Sequence, residues 1–228
     1  MKKLIALVPA CILAGCASPN VALKPTFWKN HQQRIAVTTS TPIQASLYQQ
    51  GSEGLLDLVI NQATSNQFVD YLNKTQLGSF KAKLINGFVF GLRARHIRAN
   101  PTPAINIDKM KSTDLDKKQY STVDFKPLRL KIARNKILYV QPTQIGATRK
   151  YFSFIPIGAP KAVCNLEGDL VNTTNNKILW RYHANVTVPV HGKWDQPPHY
   201  PHFTQALHAA MRLCRKEIVD NFLYASNS

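Results

Sequence analysis

Leu170-Val171-Asn172-Thr173-Thr174-Asn175-Asn176-Lys177-Ile178-Leu179-Trp180 is the stretch that decides how this chain folds. Residues 172–176 are all turn formers, and they separate two runs of apolar and β-branched side chains, the pattern of an antiparallel hairpin. Past the turn, Ile178, Trp180, Tyr182, Ala184 and Val186 share one strand face, while Arg181, His183, Asn185 and Thr187 share the other. That alternation predicts one buried and one wet face. Ahead of the turn, residues 137–145, 150–157 and 162–171 read as three more strands. Beyond a proline-rich loop, Phe203, Leu207, Ala210, Cys214, Ile218 and Phe222, joined by Met211, form a helical stripe reaching the carboxy terminus. A helix with one apolar face needs a surface to cover, and the sheet supplies it.

The amino-terminal half fits the same plan. Residues 35–41 are a short β-branched strand ended by Pro42. After Gly51-Ser52, two adjacent rows (Leu56, Ile60, Ala63, Gln67, Tyr71 and Leu55, Val59, Phe68, Leu72) predict an amphipathic helix over 55–72. A second helix starts at Ser79, with Phe80, Leu84, Phe88 and Leu92 at every fourth residue and Gly87 and Gly91 as interruptions. Residues 99–126 mix Pro, Ser, Thr, Asp and Lys and predict a long surface connection with one short strand at 105–107. Strand, helices, strands and a closing helix make an α+β fold in two layers, a mixed, mostly antiparallel sheet covered by amphipathic helices. It fills a single domain, residues 34–224.

With the quoted hairpin followed by an amphipathic helix, the chain resembles the small periplasmic lipoproteins. These include penicillin-binding-protein activators, curli-secretion and exopolysaccharide-export lipoproteins, and the similarly folded amino-terminal domain of the TolB translocation protein. Ile35-Ala36-Val37 matches their first strand and residues 55–72 their first helix. The resemblance implies an accessory role in envelope assembly, export or cell-wall synthesis, and it carries self-assembly into a homo-oligomer as a further reading.

The amino terminus supports the same compartment. Lys2 and Lys3 precede an apolar run over 4–14 that is too short to span a bilayer, which takes about 20 residues, and small residues end it as in a secretory signal. Leu13-Ala14-Gly15-Cys16 resembles the lipobox of a bacterial lipoprotein precursor. That resemblance implies cleavage after residue 15 and acyl lipid on Cys16; two or more chains hold a protein on a membrane durably. Ala17 differs from the Asp typical of inner-membrane retention, which places the mature protein on the periplasmic face of the outer membrane. Residues 16–33 then comprise the lipidated cysteine and a polar, proline-containing tether of roughly 50 Å when extended. No cofactor is expected beyond the acyl lipid.

The signal removes two of 29 basic residues and none of the 12 acidic ones, so the mature chain stays strongly cationic. In the periplasm that charge meets anionic lipid, lipopolysaccharide and protein surfaces, and nucleic acid is excluded by location. Fourteen Lys and Arg fall between Arg93 and Lys150. Cys164 and Cys214 remain after Cys16 is lipidated; both map to the sheet–helix interface and are either a disulfide or two buried thiols.

No catalytic constellation emerges. Gly51-Ser52-Glu53-Gly54 lacks the first glycine of a nucleophile elbow, and Ser52 reads as a helix cap. His191, His199, His202 and His208 lack metal-site spacing, so no metal is expected. Glu167 and Asp169 share a strand face and read as a solvated edge. Two segments read as contact surfaces: Arg149, Lys150, Tyr151, Phe152 and Phe154 mix cations with apolar groups, and Trp194 and Tyr200 sit on a stiff proline loop. The sequence therefore predicts no enzyme but a lipid-anchored binding lipoprotein docking an envelope protein or an anionic envelope surface. The alternatives are an envelope hydrolase, using Ser52, Asp195 or His199, and a self-assembling export subunit.

Overall fold

The computed structural model describes residues 18–41, 44–50, 70–74, 77–132, 134–152, 155–196 and 199–224. In chain order the elements are β1 (Arg34–Thr39), β2 (Ser46–Gln50), α1 (Leu77–Ala94), β3 (Arg98–Pro101), α2 (Leu128–Ile132), β4 (Lys136–Phe152), β5 (Ile155–Asn172), β6 (Lys177–Pro189) and α3 (Pro201–Tyr224). The predicted helix over 55–72 lies almost wholly outside the described residues. The signal and Cys16 do so entirely.

The six strands form one mixed sheet in the order β3-β1-β4-β5-β6, with β2 also on β4. The long antiparallel β4–β5 and β5–β6 ladders make up most of it. Two parallel strands share one edge of β4: β1 lies along Lys136–Val140 and β2 along Gly146–Lys150. The expected separate strands at 137–145 and 150–157 are instead parts of two. β4 runs unbroken to Phe152 and β5 begins at Ile155, because register shifts at Pro142/Gln144 and Thr148/Lys150 absorb the irregular positions. Proline has no N–H for the ladder, and a bulge is where a strand accommodates it.

Helices α1 and α3 cover one face. The entire predicted stripe of α3 is buried, as are Phe80, Leu84, Phe88 and Leu92 of α1. Trp180 lies at the centre of this core, its ring 4.9 Å from Phe222 and 6.5 Å from Phe88, with Nε1 donating to Asn221 Oδ1 at 3.0 Å. It rests on Gly168, where a Cβ would come within 2.7 Å of the indole. Only glycine permits so close an approach in mid-strand.

The opposite face carries a second core of Ala36, Phe125, Ile137, Tyr139, Val171 and Ile178. Residues 99–126, expected as a surface connection, supply its lid with Ile105, Ile107, Met110, Val123 and Phe125. The expected strand at 105–107 is a single bridge from Ile105 to Ser40, followed by a short 3-10 helix, Ile107–Lys109. Ile178 was expected beside Trp180 but faces this second core. The ladder pairs Leu170 with Trp180 and Val171 with Ile178, so Leu179 is an extra, bulged residue that resets the alternation.

The turn of the quoted hairpin fastens this lid. Asn176 is fully buried in the left-handed region at φ 61°. Its Oδ1 accepts from Phe125 N at 2.9 Å and its Nδ2 donates to Asp124 Oδ1 at 2.7 Å. That amide bond lowers the Asp124 pKa below its ordinary value. Asn176→Ala is expected to cost about 2–4 kcal/mol, combining left-handed strain for a Cβ with a buried, unpaired Phe125 N–H. Asn176→Gly keeps the backbone freedom and costs less. Urea unfolding of both variants checks this, and equal losses would show that φ at 176 contributes nothing.

The segment before β1 is docked on the domain. Val21 exchanges backbone hydrogen bonds with Arg181 at the β6 edge. Phe27 and Trp28 pack against Phe222, and the Arg95 guanidinium covers the Trp28 ring at 4.5 Å.

Candidate functional site

β4 and β5 extend together to a hairpin tip where Lys150 pairs with Ile157 and Phe152 with Ile155. At this tip Phe152 is 72% and Ile157 54% exposed, beside exposed Lys150. Just inside it, Arg149 Nε donates to Gly158 O at 3.0 Å, and its guanidinium lies 5.3 Å from the centre of the Trp194 ring. The arrangement fixes a cation over an aromatic face next to free apolar surface. Cation–π contact of this kind contributes about 0.5–1 kcal/mol at an exposed site.

The structure thus brings together Arg149 and Trp194, two residues from separate predicted contact segments, and leaves Lys150 and Phe152 open. It removes Tyr200 from the surface. That side chain is buried in the main core, 5.6 Å from the Tyr71 ring, because the loop folds back as α3 begins. Trp194 is only half-buried and packs partly on the same core. The Tyr151 side chain, Phe154 and Ser52 lie outside the described residues.

The second sheet face carries a charged cluster where the sequence predicts solvated side chains. Asp169 and Arg181 are register partners in adjacent strands, as are Glu167 and His183. Arg181 was assigned to a wet face and Glu167 with Asp169 to a solvated edge, yet Asp169 and Arg181 are both buried. β5 is an inner strand, and the docked amino-terminal segment and the 117–120 turn close over the pair. Arg181 grips Asp169 with two bonds of 2.7 Å, donates to Lys117 O at 3.1 Å and lies 3.4 Å from Glu167. Burial opposes the guanidinium's charge, but Asp169 holds its pKa above the ordinary value. Burial, and then the Asp169 charge, push the Glu167 carboxyl up, against the pull of Arg181 and His183. His183 in turn meets Asn20 Oδ1 at 2.9 Å through Nδ1. With its donors occupied by protein acceptors, this cluster ties the amino-terminal segment and the lid to the sheet. The readable signal was acids at 167 and 169 against Arg181 and His183, which only a known register could align.

Cys164 and Cys214 are fully buried thiols on the sheet–helix interface where the sequence placed them. The neighbouring Cys164 thiol, then burial, push the Cys214 thiol up, and its Sγ donates to Ala184 O at 3.7 Å. Among the described residues no three His, Cys, Asp or Glu side chains gather as a metal site. No helix among them is long and apolar enough to cross a membrane.

No protein-family model and no curated protein matches the chain. Among solved structures it is similar to the PelC dodecamer from Paraburkholderia phytofirmans, at 10% identity over 87% of this chain and 93% of that one, with a TM-score of 0.33. It is also similar to lipoprotein GNA1162 from Neisseria meningitidis, at 12% identity over 79% and 97% of the two chains, with a TM-score of 0.33. Protein XCC0632 from Xanthomonas campestris gives 9% identity over 90% and 83%, with a TM-score of 0.36. These likenesses pass no residue's role to the present chain.

Proposed function

We propose that this chain is a lipid-anchored lipoprotein of the outer membrane whose α+β domain binds an envelope partner through the β4–β5 tip. The observation that carries the reading is that tip, where Phe152 and Ile157 stand exposed beside Lys150 and the Arg149–Trp194 pair. Large apolar side chains exposed to solvent near the end of paired strands mark a contact surface, and aromatic anchors flanked by cations supply both affinity and orientation. The lipobox-like Leu13-Ala14-Gly15-Cys16 supports the anchor.

One experiment tests both parts. A photo-crosslinking amino acid placed at Phe152 of the full-length, palmitate-labelled protein is expected to yield one discrete envelope-protein adduct. The same probe at exposed Leu213 on α3 yields none. Cys16→Ser is expected to abolish palmitate incorporation and remove the adduct. Palmitate labelling unchanged by Cys16→Ser overturns the anchor, and identical adducts from both probe positions overturn the tip.

A further inference from the structure

The far end of β4 from that tip has a different chemistry. β1, β3 and β4 run parallel to one another, so all three begin at the same end of the sheet. Each brings a cation there: Arg34 and Arg98 are direct register partners, and Lys136, beside Ile35, opens β4. Neighbouring strands are about 4.8 Å apart, so Arg34 and Arg98 stand as a row of two like charges on one face, while Lys136, the partner of Ile35, lines the first cleft from one register position further on. Like charges directly opposite each other destabilise a sheet.

Two adjoining clefts of about 680 and 510 Å³ open at this row and share Arg34 and Arg134 in their walls. Arg129 extends the first and Arg93 the second. Arg93 is held in place, with Nε donating to Ala99 O at 2.9 Å and Nη2 to Asn100 Oδ1 at 3.2 Å. Among the described residues no Asp or Glu lines either cleft. Among the described residues, Arg34, Arg98, Arg129 and Lys136 have no carboxylate within ion-pairing distance. Buried Arg181 is the opposite case, since it carries its own acids.

We propose that this cleft binds a phosphate group of the phosphomonoester or pyrophosphate kind. A row of opposed cations is neutralised best by a compact group of about two negative charges, which a phosphomonoester supplies near neutral pH and a single carboxylate does not. Arginine's planar fork suits phosphate oxygens in paired hydrogen bonds. The joint width of the two clefts leaves room for the rest of a phosphorylated molecule. The proposal is independent of the hairpin tip and of its partner.

The test is calorimetric titration of the full chain in detergent, with pyrophosphate in one arm and mixed micelles carrying phosphatidic acid in the other. Saturable binding is expected, weakened at least tenfold in Arg34→Gln/Arg98→Gln and less than twofold in Lys74→Gln/Lys83→Gln, which removes equal charge elsewhere. Binding of pyrophosphate assigns a soluble phosphorylated ligand. Binding of the micelles alone, lost in the arginine variant, assigns a lipid headgroup. No binding in either arm, or equal losses in the two variants, overturns the site. The unliganded Arg34→Gln/Arg98→Gln protein is expected to melt no lower than the parent at low salt, because repulsion is relieved. A lower melting temperature would overturn the proposal by showing that the row serves the fold.

Discussion

Replacing Asp169 by alanine is expected to destabilise the domain by about 3–5 kcal/mol, the cost of leaving one member of a buried ion pair without its partner. In a chain of this size that shifts the melting temperature by roughly 6–20 °C. The reason lies in the geometry: Arg181 directs two 2.7 Å bonds at Asp169 and is itself buried. Glu167, at 3.4 Å and partly exposed, offers only a weaker substitute. Asp169→Leu/Arg181→Met removes both charges and is expected to recover most of the loss, since apolar replacement of a whole buried pair is often neutral or better. Urea unfolding of the single and double variants measures the coupling. A loss below about 1 kcal/mol in Asp169→Ala would mean that water reaches the guanidinium and that the pair is not a clamp.

Trp180→Ala is the second large effect, again about 3–5 kcal/mol, from lost apolar contact and the cavity left behind. The indole touches elements from both layers, Phe88 of α1, Phe222 of α3 and the Gly168 backbone of β5. No neighbouring side chain can fill the space without leaving its own packing. Trp180→Phe keeps an aromatic ring edge-to-face with its neighbours but strands Asn221 Oδ1, so it is expected to cost less than the alanine change. Thermal and urea unfolding rank the two, and a small loss for both would place the folding core elsewhere.

Both residues lie in or beside the hairpin from which the fold was read, yet only one was readable. Trp180 follows from period-two alternation, as the α3 stripe follows from period 3.6, because each is a local pattern imposed by one buried face. Asp169 with Arg181 depends on register between strands and on what lies above them, and neither is a local property. Leu179 shows the same limit, since a bulge is one added residue that carries no compositional mark. The lid over the second core escaped because Ile105, Met110, Val123 and Phe125 follow no period; each reaches the sheet from an irregular backbone. At the β4–β5 tip Lys150 and Phe152, singled out from composition, are exposed, whereas Tyr200 could be separated from them only by knowing which way the loop turns. The cleft at the strand starts was beyond sequence reasoning, because Arg34, Arg98 and Lys136 are far apart in the chain and meet through parallel pairing.

The docking of Val21 on β6 sets a leash length. Read as a free tether, residues 16–33 would let the domain drift some 50 Å from its lipid. With Val21 hydrogen-bonded to Arg181 and Asn20 on His183, only residues 17–19 intervene between Cys16 and the first docked side chain. That span is at most about 14 Å, less than half the thickness of the bilayer's hydrocarbon core, about 30 Å. A lipid on Cys16 would therefore hold the β6 edge against the headgroups, and the standoff of the whole molecule would be governed by the few hydrogen bonds of Asn20 and Val21 to β6.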